Sequence, residues 1–211
     1  MEQRLIQPVL DHVGVFVAAI TGVLAARGKR VDLFGILVLA LVTSLGGGTL
    51  RDILVGDNAP VFWLRSPWLL LNATITALLT FLIARQREMP MRVLLIADAF
   101  TLAAFTMIGT QKGLTMQFTA PVAVLLGVVT GVAGGILRDV LTGEVPMVFR
   151  PEIRLYATAA LVGAAFCVAL RAVGASLTTA SIAGAASVLG LRLAGIYWKI
   201  SLPIFETKKE S

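Results

Sequence analysis

The chain has 211 residues, of which 57% are hydrophobic, with a mean hydropathy of +0.89 and a formal net charge of +6. Soluble domains sit near ~45–50% apolar, so this composition excludes an ordinary soluble core. The basic residues fall between apolar runs, which points to lipid headgroups and membrane topology rather than to nucleic acid.

The apolar runs are roughly 18–25 residues long, enough for helices that cross a bilayer, and lack the short alternating pattern of an outer-membrane barrel. Seven spans are predicted, at about 10–27, 33–56, 67–85, 92–111, 118–142, 154–172 and 178–198. Polar or turn-forming breaks such as "ARGKRVD", "RQREMPMR" and "GEVPMVFRPEIR" separate them. The expected fold is a single all-α membrane domain over 1–211. The first run leads into further spans and lacks a small-residue cleavage site, so it reads as a transmembrane helix rather than a signal peptide.

Orientation follows from the connections. One side holds Arg27, Lys29, Arg30, Arg85, Arg87, Arg92, Arg150, Arg154, Lys199, Lys208 and Lys209; the other holds Arg4, Arg65, Lys112 and Arg171. The excess of basic residues predicts an outside N-terminus and a cytoplasmic C-terminus. Trp63 and Trp68 then fall at the outer interface, and Tyr156, Tyr197 and Trp198 at the inner one.

The chain repeats itself. "GGTLRDILVGD" at Gly47–Asp57 returns as "GGILRDVLTGE" at Gly134–Glu144, a shift of 87 residues. At the same shift Asp11 matches Asp98, Gly22 matches Gly109, and Val42-Thr43 matches Val129-Thr130. Repeat one covers about 10–85 and repeat two about 92–172, with the span at 178–198 left over. Three spans per copy is an odd number, so the second copy enters the membrane from the opposite side, an inverted 3+3 repeat plus a seventh helix.

The repeated stretch carries the candidate site. Each interior glycine costs a helix about 1 kcal/mol relative to alanine. Gly46, Gly47 and Gly48, echoed by Gly134 and Gly135, therefore predict a break or kink near mid-span. A broken helix at membrane depth must be buried in protein or line a wet cavity, so the expectation is a pore or binding role, with close helix packing as the alternative. Arg51, Asp52, Arg138 and Asp139 lie within spans, where each charge costs about 2.5–3.5 kcal/mol on insertion scales. Adjacent residues on a helix point apart. The expected partners are therefore crosswise, Arg51 with Asp139 and Arg138 with Asp52, as part of a pore or as staples between the halves.

Asp11 and Asp98 open equivalent spans and are expected to cap them. Lys112 in "GTQKGL" is expected to snorkel to the interface, with a pore-mouth role as the alternative, and Arg192 to snorkel toward the cytoplasm. Ala159 with Gly163, and Ala186 with Gly190, suit tight packing. His12 is the only histidine, so no Ser-His-Asp triad or histidine-based metal cluster is available. The glycines follow no β-strand, which excludes a dinucleotide fold. Neither an enzyme nor a cofactor is expected.

Seven spans in a 3+3+1 plan, with "GGGTLRD" in the second and "AGGILRD" in the fifth, resemble the TRIC family, the trimeric intracellular cation channels, in their bacterial form. The motif and "GTQKGL" also resemble the bacterial membrane family whose repeat is labelled a glycine-transporter domain. The resemblance implies a homotrimer in the inner membrane, with one pore per protomer lined by kinked second and fifth helices and passing monovalent cations, chiefly K⁺. It places the kinks at Gly46–Gly48 and Gly134–Gly135, and Arg51 and Arg138 in the pore region. Ala133 stands where the first copy has Gly46, implying a milder second break. A basic fourth-helix residue helps bind phosphoinositide in animal members; the "TQK" setting of Lys112 does not carry that over. With no "TVGYG"-type filter, a channel built this way has modest selectivity. The alternative function is a secondary transporter of a small solute such as glycine, because transporters share the inverted-repeat plan.

Overall fold

The apolar runs become helices in a computed structural model, which describes residues 2–87, 89–150, 153 and 155–198, with side chains from residue 8 onward. The elements are α1 (Glu2–Ala25), α2 (Leu33–Val55), α3 (Phe62–Arg65), α4 (Trp68–Gln86), α5 (Met91–Thr115), α6 (Ala120–Leu141), a 3-10 turn at Met147–Phe149, α7 (Tyr156–Ala172) and α8 (Leu177–Trp198). Among the described residues, six helices are long and apolar enough to cross a membrane, and the 17-residue α7 is a shorter apolar helix. No strand occurs among the described residues. The topology residues Arg4, Arg154, Lys199, Lys208 and Lys209 have side chains outside the described set.

Local chemistry sets the ends of these helices. The Asp32 carboxylate accepts a 2.8 Å hydrogen bond from Gly35 N and caps α2. Gly56 closes the same helix in the left-handed region at φ 62°, and its repeat mate Gly143 follows α6 at φ 70°. Only glycine takes that conformation without strain, which accounts for the last glycine of each motif copy. Pro67, Pro90 and Pro121 stand at or just inside the starts of α4, α5 and α6, where a missing N–H does no harm.

The buried apolar residues form two clusters that follow the repeat. One joins α1, α2 and α4, with Phe105 and Ile108 of α5 reaching in. The other joins α5, α6 and α7 with Ala180 and Val188 of α8. The helix outside the repeat thus belongs to the second half, where it packs on α5 and α7. There Gly163 and Gly184 sit face to face: a β-carbon on either would come within 2.8–2.9 Å of the other's carbonyl oxygen. The first small-residue pair, Ala159 and Gly163, is buried as expected. Ala186 and Gly190 are exposed, and Gly190 has open space around it.

The glycine runs do not interrupt their helices. α2 is helical throughout Gly46, Gly47 and Gly48, and α6 throughout Gly134 and Gly135, so neither helix is broken there, and the glycines seat a close crossing. A β-carbon on Gly47 would overlap the carbonyl oxygen of Thr130, and one on Gly134 would overlap that of Thr43. The pairs are related by the repeat, since Thr43 and Thr130, like Gly47 and Gly134, are 87 residues apart. The relation recurs in each half: a β-carbon on Gly22 would come within 2.8 Å of the Leu39 carbonyl oxygen, and one on Gly109 within 2.6 Å of that of Leu126. Lipid provides no hydrophobic drive between helices, so contact at backbone distance is what joins them, and only glycine permits it. The propensity cost of each glycine is offset by this packing.

Candidate functional site

Beyond the crossing, the Arg-Asp pairs form two matching constellations. Arg51 Nε donates to Asp52 Oδ1 at 2.8 Å, and Asp52 Oδ2 accepts from Phe62 N at 2.7 Å. Arg138 Nε donates to Asp139 Oδ1 at 2.9 Å, and Asp139 Oδ2 accepts from Met147 N at 2.7 Å. The expected cross-pairs, Arg51 with Asp139 and Arg138 with Asp52, are not made; each arginine binds its own neighbour. An arginine stem is long enough to fold its guanidinium sideways onto the next residue. The carboxylate, in turn, is held by the N-terminal amide of the short helical turn that follows each motif. Those turns, α3 and Met147–Phe149, were not anticipated from the sequence. The proline following each motif copy, Pro60 and Pro146, was the signal available. All four charges are buried.

The second constellation continues inward. Arg138 also donates through Nη1 to Asp98 Oδ1 at 2.9 Å, and Tyr156 donates its hydroxyl to the same oxygen at 3.3 Å. Arg192 of α8 lies 3.6 Å from Asp98 Oδ2 and 4.7 Å over the Tyr156 ring. Three expectations are corrected here. Asp98 is a buried mid-helix acid rather than a cap, because α5 begins at Met91. Arg192 is fully buried rather than snorkelling. Tyr156 is buried in the bundle rather than interfacial. Asp11, the mate of Asp98, also lies inside its helix, since α1 begins at Glu2.

Two cavities flank the crossing. The larger, about 840 Å³, is lined by Asp11, Arg51, Asp52, Arg65 and Lys112 among others. The smaller, about 380 Å³, is lined by Arg27, Lys29, Asp139, Glu144 and Arg150 among others. Pro8 and Asp11 near the start of α1 face the first, and Leu24 and Ala25 at its end face the second. In α5 the order is reversed, with Met91 and Leu94 on the second and Gln111, Lys112 and Thr115 on the first. The two helices therefore run antiparallel between the cavities, which lie at opposite ends of the bundle.

A lysine-carboxylate pair stands at each cavity, through Lys112 at the first and through Lys29 and Glu144 at the second. Lys112 Nζ donates to Asp57 Oδ2 at 2.6 Å. Lys29 Nζ donates to Glu144 Oε1, which Arg150 also reaches through Oε2 at 3.2 Å. Asp57 and Glu144 are repeat mates. The hydrogen bond from Lys112 holds the Asp57 carboxyl below its ordinary 3.8, and the one from Lys29 holds Glu144 below its ordinary 4.5. Lys112 is thus a half-buried ion-pair partner at a cavity mouth rather than a freely snorkelling side chain. No group of three or more acidic, histidine or cysteine side chains suited to a metal occurs among the described residues.

The chain is similar to proteins of known sequence and structure. The family model described as glycine transporter matches twice, over residues 8–85 and 95–172. The UPF0126 inner membrane protein YadS of Escherichia coli is 46% identical over 93% of this chain and 94% of its own. A UPF0126 membrane protein of Vibrio cholerae is 43% identical over 95% of this chain and 83% of its own. Among solved structures, the TRIC trimeric intracellular cation channel orthologue from Rhodobacter sphaeroides superposes with a TM-score of 0.86 at 39% identity, covering 92% of this chain and 99% of that one. A second TRIC cation channel structure gives a TM-score of 0.84 at 30% identity, covering 95% and 98%. With the twinned motif, the matching cavities and these likenesses together, the chain belongs to the bacterial TRIC family, the membrane family whose repeat is described as a glycine transporter.

Proposed function

We propose that the protein is a channel for monovalent cations, permeable to K⁺, and that it works as a homotrimer with one pore per protomer in the bacterial inner membrane. The observation that carries this reading is the pair of charged cavities at opposite ends of α1 and α5, separated by the α2–α6 glycine crossing. Two water-accessible vestibules facing opposite sides, with a narrow neck between them, are what a conduction path through this bundle requires. The likeness to TRIC cation channel structures supports the same reading.

In this pore Gly46, Gly47, Gly48, Gly134 and Gly135 form the neck. Arg51, Asp52, Arg138 and Asp139 set the field on either side, and Lys112 sits at one mouth. With the N-terminus outside, the Lys112–Asp57 rim faces outward and the Lys29–Glu144 rim faces the cytoplasm. The pore is contained in the two repeats, about 10–85 and 92–172, with α8 bracing the second.

The test is purified protein in a planar bilayer. Unitary steps in KCl, with a reversal potential that follows the K⁺ gradient, are expected. Saturable solute-coupled flux of glycine or a similar small solute, without unitary steps, selects a secondary transporter instead.

A further inference from the structure

The two halves treat equivalent carboxylates differently. Asp98 is enclosed, with Arg138, Tyr156 and the Arg192 guanidinium of α8 around it. Asp11, its repeat mate, borders the open 840 Å³ cavity and has no hydrogen-bond partner among the described residues. The reason is architectural. Arg192 comes from the helix that has no counterpart in repeat one, and Tyr156 is replaced at the equivalent position by Leu69. The Arg192 guanidinium beside Asp98 therefore has no repeat-one counterpart beside Asp11, which faces the cavity instead.

We propose that the first cavity binds one monovalent cation beside Asp11, the free counterpart of the guanidinium that α8 anchors beside Asp98. This rests on the channel reading above, in which the cavity is a vestibule. The charges of Arg51 and Arg65 reach Asp11 across the cavity, but Arg51 hydrogen-bonds Asp52 and Lys112 hydrogen-bonds Asp57. Arg65 is about half exposed and lies 4.0 Å from the second oxygen of Asp52. Asp11 is the carboxylate left over. Gln111, which also borders the cavity, donates its Nε2 to Ser181 Oγ at 2.6 Å and so keeps its carbonyl oxygen for an ion or its waters. The cavity is large against the ~30 Å³ share of one water, so a hydrated ion enters without rearrangement. A single spare carboxylate among arginines suits a monovalent ion, because calcium takes about 6–8 oxygen ligands, several of them charged.

The experiment melts the full-length protein in KCl and in choline chloride at equal ionic strength, and measures conductance against K⁺ concentration. The wild type is expected to melt higher in KCl. Asp11→Asn is expected to abolish that difference and to raise the half-saturating K⁺ concentration about five-fold or more, while Asp11→Glu retains both responses. Equal melting of the wild type in the two salts overturns the site, as does an Asp11→Asn protein that keeps the full wild-type response to K⁺. If Asp11→Asn does not fold, the wild-type comparison and Asp11→Glu still decide. A wild type stabilised by K⁺ that passes no current keeps the site and removes the channel reading.

Discussion

At the scale of single residues, the buried charges differ in what they hold. Asp98 faces two arginines, so neutralising it removes a carboxylate charge from beside Arg192 and leaves Arg138 with Asp139 as its remaining carboxylate in a low-dielectric interior. Breaking a buried pair by removing one partner costs about 3–5 kcal/mol, and Asp98→Asn is expected to destabilise the protein by that order in thermal unfolding. In a double-mutant cycle, Arg138→Ala with Asp98→Ala is expected to be non-additive, whereas Arg51→Ala with Asp139→Ala, which make no contact, is expected to add. The rim carboxylates behave differently because they lie outside the packed interior, Asp57 half-buried and Glu144 exposed. Their folded-state acidities are shifted down by lysine, so the contacts contribute fully above the ordinary carboxylate range and fade as pH falls through the lowered values. Titrating the protein from pH 8 to 5 is therefore expected to leave both rims closed. They open only below the ordinary carboxylate range, read as line broadening or loss of a lysine-carboxylate crosslink.

At the scale of elements, the glycine crossing is the informative feature. The helix-propensity argument alone says that alanine at Gly47 or Gly134 gains about 1 kcal/mol. Packing reverses the sign, because each new β-carbon meets a carbonyl oxygen of the facing helix, and backbone cannot rotate away. Overpacking of this kind costs about 1–3 kcal/mol. Gly47→Ala and Gly134→Ala are expected to lower the melting temperature and to alter K⁺ flux together, since the same contact forms the proposed neck. Gly190→Ala, with open space around it, is expected to be neutral or to stabilise by up to about 1 kcal/mol. A thermal-shift series across the three variants checks the order.

At the scale of the whole molecule, an inverted repeat makes the two sides of the membrane near-equivalent, and α8 breaks the equivalence. It is the reason that one acid is sealed and the other borders a cavity. The proposed orientation then decides which vestibule faces the cytoplasm. A C-terminal reporter is expected to be active inside the cell and silent in the periplasm; the reverse result exchanges the two mouths and leaves the internal geometry unchanged.

Hydropathy and an 87-residue echo were enough to read out the helical membrane fold, the repeat and the candidate glycines and charges, because those properties are local or periodic along the chain. Side-chain partners were another matter. Whether Arg51 turns to Asp52 or to Asp139 depends on where a short turn such as α3 places an amide, and that turn is stable only against the packed bundle. Whether a glycine run breaks a helix or seats another helix depends on what lies opposite, and Thr130 is 83 residues from Gly47 in sequence. The burial of Arg192 beside Asp98 joins α8 to α5, a contact that no spacing rule anticipates. Periodicity reports which residues leave water, and tertiary packing selects the atoms they meet.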